Sequence, residues 1–65
     1  MKKAIYDILK KANRQMRAKE IADELGLLPP FVNAYLRDLE KENFAESELI
    51  DDRDNEGFYW LWRAR

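Results

Sequence analysis

Two apolar stripes at helical spacing, separated by a break too short to be a linker, constrain this chain more than any other feature. They lie in Arg17–Phe44, RAKEIADELGLLPPFVNAYLRDLEKENF. Ile21, Ala22 and Leu25 form the first stripe, and Val32, Leu36 and Leu39 form the second. Gly26 stands where a left-handed helix end needs it, and Pro29 and Pro30 suit the first turn of the next helix. Two amphipathic helices joined this tightly must cross, and both stripes must face one shared core.

The length limits what that core can be. Sixty-five residues make one domain, and a chain of this size buries only about 60% of its unfolded surface. There is no cysteine and no histidine. Disulfides, zinc thiolates, a catalytic triad and a histidine general base are therefore excluded. The carboxylates Asp52, Asp54 and Glu56 lack the remaining ligands of a calcium loop. We expect no enzyme, no metal and no cofactor. Packing must come from aliphatic and aromatic side chains, and the chain holds two Trp, three Tyr and three Phe.

Before the break, Ile5, Ile8, Leu9 and Ala12 write a stripe over Lys2–Ala12, and Asn13 is a suitable stop. Asn13–Arg17 reads as a connector. Met16 is its one apolar residue, positioned to plug the core as a one-residue strand. The next helix spans Ala18–Leu25, with Arg17 where a Ser or Thr cap is usual and Glu20 in the first turn. The third spans Pro30–Glu42, with Tyr35 at its edge. Phe44–Ile50 and Phe58–Trp62 read as strands around the polar turn Asp51–Gly57. The expected fold is α+β: three helices, then a two-stranded antiparallel hairpin, as a single domain over residues 1–65.

Net charge is −1, but the charges are sorted along the chain. Residues 1–19 carry seven basic side chains and one acidic one, whereas residues 20–56 carry three basic and twelve acidic. Such asymmetry points to a charged partner for one end. No apolar run approaches the ~18 residues of a membrane span. Asp7, Lys10 and Lys11 interrupt any signal-peptide core after Met1-Lys2-Lys3. We expect a cytoplasmic protein without a membrane partner.

The segment KEIADELGL, a short turn, and FVNAYLRDLEKENF together resemble the winged helix-turn-helix of small bacterial and phage transcription regulators. Glu20-Ile21-Ala22, Leu25-Gly26, Val32, Leu36, Leu39 and Glu40 match that family's pattern. Asn43 stands for its usual Gly, Phe44 for its first strand residue, and Leu28 for the Ser or Thr opening its third helix. The likeness extends over residues 1–62 and, in size and ending, is similar to the short FaeA-like fimbrial regulators. It implies double-stranded DNA as partner, with the third helix in the major groove.

By that resemblance Arg14, Arg17 and Lys19 would hold phosphates around the start of the second helix. Pro30, Phe31, Asn33, Ala34 and Arg37 would face the duplex from the third. Arg37 suits guanine and Asn33 suits adenine. Arg53, at the hairpin tip, would reach the minor groove or a phosphate. Asp51, Asp52, Asp54 and Glu56 surround it and repel phosphate. Phe31 has three readings: a contact to thymine methyls, a knob for a protein, or a cover folded over Leu27 or Leu28.

Alternation puts Phe58, Trp60 and Trp62 on one strand face and Tyr59 and Leu61 on the other. The outer aromatics either drape over the hairpin or form a homodimer or protein-partner surface. The alternative to DNA is thus a protein-interaction module built on the Pro30/Phe31 tip and the outer face of this aromatic hairpin.

Overall fold

The computed structural model describes residues 1–65. Three helices precede a two-stranded antiparallel sheet: α1 (Lys2–Ala12), α2 (Ala18–Leu25), α3 (Pro29–Lys41), β1 (Ala45–Asp52) and β2 (Gly57–Ala64).

The helix ends follow from backbone chemistry. Asn13 takes the left-handed conformation (φ 51°), and its N–H donates to the Leu9 carbonyl at 3.2 Å. Lys10 and Lys11 lie in the last turn of α1, where cations favour the helix dipole. Gly26 closes α2 at φ 68°, and the Leu27 N–H returns to the Ala22 carbonyl at 2.9 Å. That turn swings Leu27 back against the core. At the start of α3, Pro29 and Pro30 lack the N–H groups that would have no helical partner there. Asn43 (φ 66°) ends the third segment in the family's glycine position. The expected helix spans hold to within one residue.

All three stripes converge. Val32, Leu36 and Leu39 are buried with Ile5 and Leu9 of α1 and Ile21 and Ala22 of α2. Met16, Ala45 and Trp62 complete the core. Met16 does act as a one-residue strand: it exchanges two backbone hydrogen bonds with Trp62, at 2.7 and 2.8 Å.

The hairpin differs from expectation at both ends. Its strands are longer, pairing from Ala45↔Ala64 to Asp52↔Gly57. The turn shrinks to Arg53–Glu56, closed by the Asn55 and Glu56 N–H groups on the Asp52 carbonyl at 3.1 and 2.9 Å. Asp51 is exposed and Asp52 half-buried, and both pair across the hairpin as strand residues rather than forming its turn. Phe44 is not in the strand. It follows the Asn43 turn and packs edge-on against Tyr6, with ring centroids 5.7 Å apart. Ala45 takes the buried position instead.

Leu36 has no exposed surface. Leu36→Ala should cost about 2–5 kcal/mol, a large share of the roughly 5–15 kcal/mol typical of a domain. Urea unfolding followed by far-UV circular dichroism measures it. An unchanged midpoint would show that α3 does not carry the core.

Candidate nucleic-acid interface

Burying the Val32–Leu36–Leu39 stripe turns the opposite side of α3 outward. Asn33, Arg37 and Lys41 are exposed at i, i+4 and i+8, and so form one ridge. Ala34 and Pro30 are exposed beside it. Neither Arg37 nor Lys41 has a carboxylate within ion-pair distance among the molecule's salt bridges. Lys41 was not among the expected residues; its signal was the four-residue step from Arg37. Phe31 is 59% exposed, so it does not fold back under cover.

A groove of about 390 Å³ runs between this ridge and the hairpin. Asn33, Arg37 and Lys41 line one side, and Ser47, Trp60 and Trp62 line the other. Glu40 also borders it, and accepts a hydrogen bond from the Ser47 hydroxyl at 2.7 Å. Trp60 is 48% exposed. Trp62 is buried, and its indole N–H has no acceptor.

Other expected cations are engaged within the fold. Glu20 accepts the Arg17 backbone N–H at 3.1 Å and an Arg14 guanidinium N–H at 3.1 Å. This is how α2 is capped without a Ser or Thr. The Arg17 N–H foremost, then Arg14, holds the Glu20 carboxyl below its ordinary pKa. The Arg17 side chain crosses to the hairpin. Its guanidinium carbon stands 4.2 Å from the Tyr59 ring centroid, and one nitrogen donates to Glu56 at 2.6 Å. Arg53 donates to Asp51 at 3.1 Å. Lys19 is exposed and has no ion pair.

The expected surface of Phe58, Trp60 and Trp62 divides in two. The pairing register sets Trp62 opposite Ser47, beside Met16 and beneath the helices, so it is core and offers nothing to a partner. Phe58, 60% exposed, and Trp60 lie outside the core toward the hairpin tip, with Leu49 across from Trp60. The other sheet face carries a second basic region that the sequence reading missed. There Lys10, Arg14, Arg63 and Arg65 line a cleft with Glu46. Glu46 pairs with Arg63 and lies 3.9 Å from Arg65.

No helix is long and apolar enough to cross a membrane. Residues 1–46 match a family model described as winged helix-turn-helix DNA-binding. The matched span covers α1, α2, α3 and the opening of β1. No curated protein matches the chain.

The Glu20 cap has a pH signature. Its folded pKa is lowered, so its stabilisation is present above the unfolded glutamate value and is lost as pH falls through the folded one. Acid titration by NMR should show the Arg17 amide and the Glu20 side chain moving together, with a midpoint below that of an exposed glutamate. A midpoint at or above the ordinary value would remove the cap.

Proposed function

The chain belongs to the winged helix-turn-helix DNA-binding family, and from that premise we propose that it is a transcriptional regulator of bacterial or phage type. It works as a single domain over residues 1–65, by binding rather than catalysis, in the cytoplasm that holds its DNA. The observation that carries this reading is the outward ridge Asn33–Arg37–Lys41, which has hydrogen-bond donors and two unpaired cations.

In this reading α3 lies in the major groove. Arg37 donates bidentately to guanine, and Asn33 pairs with adenine. Pro30, Phe31 and Ala34 supply apolar contact at the entering end, where thymine methyls are exposed. Arg14, Arg17 and Lys19 meet phosphates from the α2 side, and Lys41 does so from the far end of α3. Arg53 reaches the backbone only when a phosphate displaces Asp51. Arg17 likewise exchanges Glu56 for phosphate. These internal pairs and the acidic hairpin tip keep monomer affinity modest.

A second reading rests on the exposure of Phe31, Phe58 and Leu49. In it the chain grips a protein or a second copy of itself through these surfaces.

Titrating labelled protein with mixed duplex DNA at several salt concentrations tests the choice. Phosphate contacts from Arg14, Arg17, Lys19 and Lys41, with Arg53 as a fifth, predict a log–log salt slope of about −3.5 to −4.5. Amide signals should move at residues 14–19 and 30–37. Arg17→Glu should weaken binding to every sequence, and Arg37→Ala should cost about tenfold or more at preferred sites only. Self-association without any duplex binding at low salt would decide for the second reading.

Freeing Arg17 gives an independent check. Exposed ion pairs contribute about 0.2–1 kcal/mol, so Glu56→Gln should raise duplex affinity by up to about fivefold. A weakened complex would show that Arg17 serves the fold alone.

A further inference from the structure

The ridge assigned to DNA also lines the groove between α3 and the hairpin, and the Trp60 side of that groove has no role in the reading above. We propose that this groove receives a single unpaired nucleotide, so that the protein prefers DNA carrying an unstacked base over a fully paired duplex. The proposal rests on the DNA reading above and narrows its substrate.

Three observations converge on a nucleotide. The first is the half-exposed Trp60 indole, on a strand face bordering the groove. An aromatic plane is best covered by another plane. Bases in a duplex present only their edges, so the plane must come from a base out of the stack. The second is charge: Arg37 and Lys41 line the opposite side without carboxylate partners, against the single carboxylate Glu40, which accepts from the Ser47 hydroxyl, so the groove is net positive. Cations beside a stacking surface are the recurring arrangement for single-stranded nucleic acid. Asn33 adds an amide able to read a base edge.

The third is size. At about 390 Å³ the groove falls within the ~300–1,000 Å³ of small-ligand sites. It is too small for a duplex and large enough for one nucleotide. An apolar peptide would leave Arg37 and Lys41 desolvated beside it, which disfavours that occupant. Phe58 does not extend the platform for a strand, because Asp51 stands directly across from it and repels phosphate.

Fluorescence anisotropy with two labelled duplexes tests this. They share one sequence, and one of them carries a single-nucleotide bulge. Wild-type protein should bind the bulged duplex about tenfold more tightly, the range of one base stacked on an aromatic side chain, with quenching of tryptophan emission. Trp60→Ala should bring the ratio of the two affinities close to one. Trp60→Phe keeps an aromatic plane and should retain most of the preference; circular dichroism reports whether each variant is folded. Equal wild-type affinities overturn the inference and leave the DNA reading intact. A preference that survives Trp60→Ala in a folded variant also overturns it. Binding to neither duplex overturns the DNA reading and this inference together.

Discussion

The fold depends on one contact surface, the inner stripe of α3. Val32, Leu36 and Leu39 meet Ile5, Leu9, Ile21 and Ala22, and every other element is arranged around that meeting. The chain has no disulfide to relieve this demand. Burial of apolar area at about 25 cal/mol per Å² is the main stabilising term available. The same burial dictates the outer surface. Once the inner stripe is committed, Asn33, Arg37 and Lys41 have nowhere to go but outward, as one row. The groove beside them exists because Trp62 must enter the core while Trp60, two residues earlier on the same face, cannot reach it.

The helices were legible because periodicity and termini agree. Asn13, Gly26 and the Pro29-Pro30 pair each mark a boundary for a stereochemical reason, and the apolar spacing tells which side is inward. The strands were less legible. Their outer halves have no core to pack on, so Asp51 and Asp52 look like turn residues while still pairing with Phe58 and Gly57. Alternation correctly grouped Phe58, Trp60 and Trp62, but it carries no information on how far the helices extend over that face. That coverage alone separates a core residue from two exposed ones.

Electrostatics were the least legible, because pairing is a tertiary property. Net charge and its segregation are visible along the chain, yet nothing local indicates that Arg17 will find Glu56, or that Arg14 will find Glu20. The pairs consume cations that the family resemblance would place on phosphate. The hairpin is also polarised. Its tip carries Asp51, Asp52, Asp54 and Glu56 with one arginine, whereas its base gathers Arg63 and Arg65 near Lys10 and Arg14. In the proposed reading, a duplex approaching α3 meets an acidic barrier on the hairpin side. At physiological salt that barrier reaches about 8 Å, one Debye length.

Arg17 joins these two themes. Its backbone starts α2 through Glu20, and its side chain rests on Tyr59 and Glu56 of the hairpin. One residue thus ties the start of α2 to the hairpin, on the sheet face away from the groove beside α3. A phosphate that draws the guanidinium from Glu56 need not break the stacking on Tyr59, since the two contacts use different parts of the group: a nitrogen for the carboxylate, the planar face for the ring. The hairpin can then stay in position while its carboxylate is released. In the proposed reading a phosphate contact at Arg17 therefore leaves its contact with Tyr59 in place, which a simple ion pair at the same position would not do.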